Sequence, residues 1–149
     1  MKEIILFDDA LQTVVPDDFE DMSLEAIGVM FPHEQRPQII KGSPDGSTYV
    51  TFSLVERTLS RQQLFVASHS SLDFLKKFYP SCHNQRVHVI PLEDSMCGWF
   101  SFTAREMINI LFIISIENKM ILGTCGCSED DTKRLEDVKM AFLSVKTMA

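Results

Sequence analysis

The apolar residues of this chain occur in short runs that are separated by clusters of turn-forming or acidic residues. Pro16 ends the second run, and the Gly, Ser, Pro and Asp residues at 42–47 join the third run to the fourth, so these four runs predict two β-hairpins. The run Ile108–Ile116 is apolar at successive positions and predicts a central strand that is covered on both faces. Asn118-Lys119 predicts the turn into the next strand. The predicted strands are residues 2–7, 11–15, 38–41, 48–55, 86–91, 97–103, 108–116 and 120–125.

Three further segments carry the signals of helices. The residues that predict their N-terminal caps are Ser23 for the first helix, the capping box of Ser60 and Gln63 for the second, and Ser128 with Asp131 for the third. Pro32 and Tyr79-Pro80 end the first two helices, and the apolar positions predicted to face inward are Leu64, Ala67, Leu72, Leu75 and Phe78 in the second helix and Leu135, Val138, Phe142 and Val145 in the third.

The order of these elements is two strands and a helix, two strands and a helix, then four strands and a helix. Because the strands follow one another as hairpins and the helices are set apart from them, the pattern predicts the α+β class, with an antiparallel β-sheet sandwiched by helices. A chain of 149 residues with 45% apolar composition has the size of one ordinary domain. We therefore expect a single domain over residues 1–149.

Negative charge is concentrated at one end of the chain. The formal net charge is -7, and residues 1–35 hold nine acidic residues and one basic residue. Nucleic-acid-binding proteins usually present a basic stripe to the phosphate backbone, so this distribution argues against nucleic acid as a partner. It favours a partner protein with a basic or amphipathic surface.

The sequence contains no run that predicts export or a membrane span. The apolar run near the N-terminus is too short for the core of a secretory signal, and no run approaches the ~20 residues of a membrane helix. Four cysteines without an export signal are typical of the reducing cytoplasm. We expect a cytoplasmic protein with reduced thiols.

The acidic residues that follow the first hairpin are the first candidate binding site. Carboxylates crowd around Phe19, and they could form an anionic surface that docks a protein partner. The alternatives are a loose cation site completed by water, although no EF-hand spacing is present, and a solvated loop whose carboxylates cap the next helix. The candidate partner-binding residues of this segment are Asp17, Asp18, Glu20, Asp21 and Glu25.

An apolar surface on the sheet is the second candidate. Trp99 and Phe52 lie on predicted strands, where alternate side chains face opposite sides of the sheet. Most such residues belong to the core. If one face of the sheet is uncovered, however, Trp99 and Phe52 would form an exposed patch of the kind that binds a peptide or a hydrophobic helix.

Cys82, His83, Cys125 and Cys127 are the third candidate, because these residue types bind zinc or copper when the fold brings them together. The one-residue spacing of Cys125 and Cys127 differs from the two-residue spacing of zinc knuckles, so the alternative is that they are small buried residues at the end of a strand. Nucleophile and phosphate-binding motifs are absent from the sequence, and we predict neither enzymatic activity nor a cofactor.

Four segments, taken in order, resemble those of a known superfamily. They are Val-Pro-Asp-Asp-Phe-Glu-Asp-Met-Ser at 15–23, Leu59–Leu64 before the long helix, Gly98-Trp99-Phe100 at the start of a strand, and Leu122–Cys127 before the last helix. With the order of elements, they resemble the PsbP/DcrB-like superfamily, whose fold the yeast Ran-binding nuclear import factor shares, and in particular its small bacterial members. The resemblance implies an α/β/α sandwich and a binding or accessory role without enzymatic chemistry.

Three hypotheses about function follow. In the first, a non-enzymatic binding protein docks its partner through the acidic surface at residues 17–25, with Trp99 as a further contact. In the second, a secretion-associated adaptor chaperone or immunity-type protein holds a hydrophobic segment on the sheet. In the third, a metal- or thiol-dependent protein uses Cys82, His83, Cys125 and Cys127.

Overall fold

The computed structural model describes residues 1–8, 10–31 and 36–148. Within them the α+β class is confirmed, and Pro32, the predicted end of the first helix, lies outside the described residues. The elements are β1 (Lys2–Leu6), β2 (Leu11–Val15), β3 (Glu20–Asp21), α1 (Leu24–Met30), β4 (Ile39–Gly42), β5 (Tyr49–Val55), α2 (Arg61–Leu75), a short 3-10 helix (Pro80–Asn84), β6 (His88–Pro91), β7 (Ser95–Ala104), β8 (Met107–Ile116), β9 (Lys119–Ser128), α3 (Thr132–Leu143) and β10 (Lys146–Thr147).

Seven of the strands form one antiparallel sheet in the order β3-β4-β5-β9-β8-β7-β6. Strands β7, β8 and β9 have ten residues each, and each pairs with the next one along the chain to form two successive hairpins. Strand β9 also pairs with β5, and this pairing joins the second predicted hairpin, β4 and β5, to the sheet. The prediction that residues 108–116 form a central strand with both faces covered is confirmed. In β8, Phe112 belongs to the main core on one side of the sheet, and Ile113 packs beneath α2 on the other.

The first predicted hairpin forms, with Lys2 paired with Val15 and Leu6 with Leu11, but it belongs to a second sheet. This sheet has the order β1-β2-β10 and contacts α3, and Thr13 of β2 donates a hydrogen bond from Oγ1 to the carbonyl of Ala141 in α3. The main core lies between α3, this small sheet and one face of the large sheet. Its largest completely buried side chains include Phe19, Phe52, Phe112 and Phe142.

Helix α2 covers part of the opposite face of the large sheet. It begins with the predicted capping box: Ser60 Oγ accepts a hydrogen bond from the Gln63 N–H at 3.2 Å, and Gln63 Oε1 accepts one from the Ser60 N–H at 2.8 Å. Leu64 and Leu72 are buried as predicted, whereas Phe78 is 61% exposed, so its assignment to the buried stripe is wrong. Regular α-helix ends at Leu75, and Phe78 lies in the turns that follow.

The start of the third helix also differs from the prediction. Strand β9 continues to Ser128, and the N-cap is Asp131, whose carboxylate accepts a hydrogen bond from the Arg134 N–H at 3.0 Å. The ladder to β8 pairs Met107 with Ser128, so the backbone of Ser128 is extended and cannot begin a helix. The predicted inward residues Val138, Phe142 and Val145 are buried.

Candidate functional site

The acidic segment between β2 and β3 is fastened to α3. Phe19 is 1% exposed within the main core, and Arg134 of α3 lies over its ring, with Cζ 5.3 Å from the centroid. The same guanidinium donates to both carboxylate oxygens of Asp18 at 2.8 Å, and to Thr48 Oγ1 at 3.2 Å. Asp18 therefore has a structural role, because it holds the segment and α3 together.

Two of the remaining carboxylates are also in ion pairs within the chain. Asp17 lies 3.0 Å from the amino group of Met1, and Asp21 lies 2.7 Å from Lys41 Nζ. Their side chains are nevertheless 77% and 83% exposed, and Glu20 and Glu25 are exposed as well. All five predicted acidic residues thus remain accessible at the surface, and three of them, Asp17, Asp18 and Asp21, already have a cationic partner within the chain.

The cysteines and His83 do not converge on one site. Cys82 packs with Leu72 and Phe100 on the α2 side of the large sheet, whereas Cys125 belongs to the main core on the other side, and His83 is exposed. Within the described residues, no group of three or more His, Cys, Asp or Glu side chains is placed to hold a metal ion. The metal-site hypothesis loses its geometric basis, because the sheet separates its ligands.

The thiols are also poorly suited to nucleophilic or redox chemistry. All four cysteines are free and buried. Burial raises the pKa of the Cys97 thiol from 9.0 to about 12, and it also raises the pKa of Cys82, Cys125 and Cys127. Because the thiolate is the reactive form, these groups stay protonated and unreactive at neutral pH.

The predicted exposed patch of Trp99 and Phe52 is wrong. Phe52 is completely buried in the main core. Trp99 is half-buried on the side of the sheet that α3 covers: its ring stacks on His88 with centroids 4.5 Å apart, and Lys139 Nζ lies 5.0 Å from its centroid. A role of Trp99 in contacting a partner stays a prediction.

An apolar groove lies on the opposite face of the sheet. Helix α2 packs on β7 and β8, and Leu122 on β9 and Val55 at the end of β5 are each 38% exposed beside it. The groove between α2 and β9 has a volume of about 500 Å³. Its apolar lining comprises Leu59, Val66, Ala67, Ile113, Met120 and Leu122. The sheet therefore has a partly uncovered face, although not the one that carries Trp99.

Exposed apolar side chains extend along α2 beyond this groove. Phe65, Val66, Phe74 and Phe78 are between 48% and 61% exposed, and the rings of Phe74 and Phe78 contact each other with centroids 5.3 Å apart. Phe65 and Val89 line a second groove of about 550 Å³ on the β6 side of the helix. The exposure of Phe65, Val66 and Phe74 was not predicted from the sequence, although a signal was present: all three are apolar positions outside the predicted inward stripe.

Comparison with known proteins identifies the fold. No protein-family profile matches the sequence, and no curated protein matches it. Several solved structures are similar to this chain, and three of them each cover 99% of it. The cyanobacterial PsbP protein (CyanoP) of Synechocystis sp. PCC 6803 has a TM-score of 0.63 at 10% identity, with 92% of its chain covered. A protein from Bacteroides thetaiotaomicron VPI-5482 has a TM-score of 0.61 at 12% identity, with 48% of its chain covered. LpqN, described as involved in cell envelope biogenesis of Mycobacterium tuberculosis, has a TM-score of 0.53 at 10% identity, with 90% covered.

These similarities confirm the PsbP-like fold that the sequence motifs predict. At identities of 10% to 12% they establish the fold alone. No helix in the described part of the chain is both long enough and apolar enough to span a membrane.

Proposed function

We propose that this chain is a non-enzymatic binding protein that holds an amphipathic helix of a partner protein in the groove between α2 and β9. One observation carries the proposal: apolar side chains are exposed on both walls of the groove, with Val66 54% exposed on α2 and Leu122 38% exposed on β9. Extended apolar surface of this kind commonly marks a site of protein interaction. PsbP-like neighbours are compatible with an accessory or binding role.

The shape of the groove favours a helix as its occupant. One wall is a helix of 15 residues, about 22 Å long at 1.5 Å per residue, and the other is the sheet. On α2, the lining residues Gln63, Ala67 and Ser71 recur every four residues, and Phe74 continues the row after three more. A partner helix lying along this row would present its own apolar stripe to it, as in other helix-in-groove complexes.

Docking of a basic partner through the acidic surface is a second candidate function. It is supported by the exposure of Asp17, Glu20, Asp21 and Glu25. Such rim charges are screened by salt, whereas apolar docking in the groove persists or strengthens as salt rises. Salt dependence therefore separates the two candidates.

Affinity capture from lysate of the native host tests the proposal. The groove variant is Val66→Gln with Leu122→Gln, and its matched control is Val29→Gln with Met140→Gln, which changes exposed apolar residues on α1 and α3 instead. The acidic-surface variant is Asp17→Asn, Glu20→Gln, Asp21→Asn and Glu25→Gln, and it leaves Asp18 in place to hold Arg134. Circular dichroism checks that each variant folds.

We expect the wild type, the matched control and the acidic-surface variant to capture the same partner at low and at high salt, and the groove variant to lose it. Truncation of that partner should then narrow the binding segment to an amphipathic helix. Loss of the partner in the acidic-surface variant and at high salt, with binding retained by the groove variant, would replace the proposal with the second candidate. Absence of a stoichiometric partner would overturn both.

A further inference from the structure

The segment of the chain that contains α2 is basic, although the whole protein is acidic. Residues 57–79 carry four basic residues and one acidic residue, in a chain whose net charge is -7. The acidic residue, Asp73, is in an ion pair with Lys76, whose Nζ lies 3.3 Å from its carboxylate, and the exposed Glu56 precedes Arg57. Residues 56–79 together therefore carry a net charge of +2 in a negative protein.

The free cations of this segment lie beside the apolar grooves. Arg57 lines the groove between α2 and β9, and Arg61 lines the groove on the β6 side. Within the described residues, neither guanidinium is in an ion pair, and no carboxylate lines either groove. At the other end of α2, Lys77 Nζ lies 5.8 Å from the centroid of the exposed Phe74 ring. Cations thus lie at both ends of the row formed by Gln63, Ala67, Ser71 and Phe74.

From this charge complementarity we infer that the occupant of the groove is an acidic amphipathic helix. The inference rests on the proposed function and adds the chemistry of the partner: an apolar stripe that enters the groove, flanked by carboxylates that face Arg57 and Arg61 at one end and Lys77 at the other. Charges at the rim of an interface contribute mainly to selectivity and to the rate of association. A basic helix would leave these cations opposed by like charges, which weakens its binding relative to an acidic helix.

Synthetic peptides test the inference even before the partner is identified. Three fluorescent peptides of about 18 residues share one leucine and methionine stripe and differ only in a polar face made of glutamate, glutamine or lysine. Binding is measured by fluorescence anisotropy at about 0.05 M and about 0.5 M salt. The charge variant is Arg57→Glu with Arg61→Glu. Its matched control, Lys2→Glu with Lys133→Glu, gives the same net charge but changes β1 and α3.

We expect the wild type and the matched control to bind the glutamate peptide about tenfold more tightly than the lysine peptide at low salt, and the difference to shrink at high salt. The charge variant should reverse the preference. The groove variant Val66→Gln with Leu122→Gln should weaken the binding of all three peptides.

The outcomes separate this inference from the function on which it rests. Equal binding of the three peptides, lost in the groove variant, would overturn the acidic partner and leave groove binding standing. Lack of binding by every peptide would overturn both. Light scattering then measures the self-association of the wild type and of the groove variant. Self-association shown by the wild type alone would make a second copy of this chain the occupant of the groove and would overturn the inference.

Discussion

Residue by residue, the contact between α2 and the sheet depends on the small size of two facing positions. Gly98 of β7 lies directly beneath Ser68 of α2, and a Cβ built on Gly98 would collide with Ser68 Oγ and reach Leu64 Cγ at 3.6 Å. The Ser68 hydroxyl is completely buried, and no hydrogen-bond partner for it is found among the described residues. The Ser68 hydroxyl therefore contributes no hydrogen bond where α2 meets β7. The close approach of α2 to β7 requires glycine at position 98.

A double-mutant cycle with Gly98→Ala and Ser68→Ala should give a favourable coupling free energy between the two substitutions. Gly98→Ala should lower the free energy of unfolding by about 1–3 kcal/mol through overpacking. Ser68→Ala should raise it by about 1 kcal/mol, because it removes a buried and unsatisfied polar group. Urea unfolding of both single variants and the double variant measures the coupling.

In the double variant most of the cost of Gly98→Ala should disappear, because the nearest remaining atom of residue 68 is Cβ at 3.2 Å. Additive effects of the two substitutions would contradict the close approach of α2 to β7. Val29→Ala, on the exposed side of α1, serves as a control that should change stability little.

Single residues also mark where prediction from sequence succeeded and failed at this scale. The capping box of Ser60 and Gln63 is local, so the sequence alone predicted it correctly. The role of Asp18 depends on Arg134, which is 116 positions further along the chain. Nothing local distinguishes Asp18 from Asp17, and the segment therefore predicted an acidic surface rather than an internal clamp.

At the scale of elements, the ion pair between Asp18 and Arg134 holds α3 to the acidic segment. Asp18→Ala should lower the free energy of unfolding by about 1 kcal/mol, because Arg134 is partly shielded and its bond to the carboxylate is charge-assisted. Arg134→Ala should cost more, since it also removes the cation over the Phe19 ring. Chemical denaturation measures both values.

Asp17→Ala is the matched control for this prediction. Its side chain is 77% exposed in an ion pair with the amino group of Met1, so its loss should cost only a few tenths of a kcal/mol. If Asp17→Ala and Asp18→Ala lowered the free energy of unfolding equally, the ion pair between Asp18 and Arg134 would not stabilise the fold.

Helix α2 illustrates why the binding groove could not be read from the element alone. Its inward residues Leu64 and Leu72 follow from helical periodicity, as predicted. Whether Val66 and Phe74 are covered depends on what lies beside α2 on the sheet, which is a property of the tertiary arrangement. The apolar residues outside the stripe were the only available hint.

On the scale of the whole molecule, the strand order could be predicted where strands adjacent in sequence form long hairpins. Strands β7, β8 and β9 are ten residues each and pair with their sequence neighbours, so their order follows from the chain. The small sheet could not be predicted, because it needs β10, a two-residue strand that pairs with β2 across more than 130 positions. Periodicity carries no signal for so short and distant a partner.

The groove is the consequence of this architecture. In the described residues, α2 is the one α-helix that packs on its face of the large sheet, and the short 3-10 helix packs on β7 beside it. The main core, by contrast, has both α3 and the small sheet over it. The two faces are unequally covered, and the proposed function lies on the less covered one.

Photo-crosslinking in the native host tests this central claim most directly. The photoreactive residue p-benzoylphenylalanine replaces Val66 or Leu122 in the groove, or Met140 on α3 as the matched control. The account predicts that positions 66 and 122 both crosslink to one amphipathic, acidic segment of a single partner and that position 140 does not. Crosslinks from position 140, or none from either groove position, would contradict it.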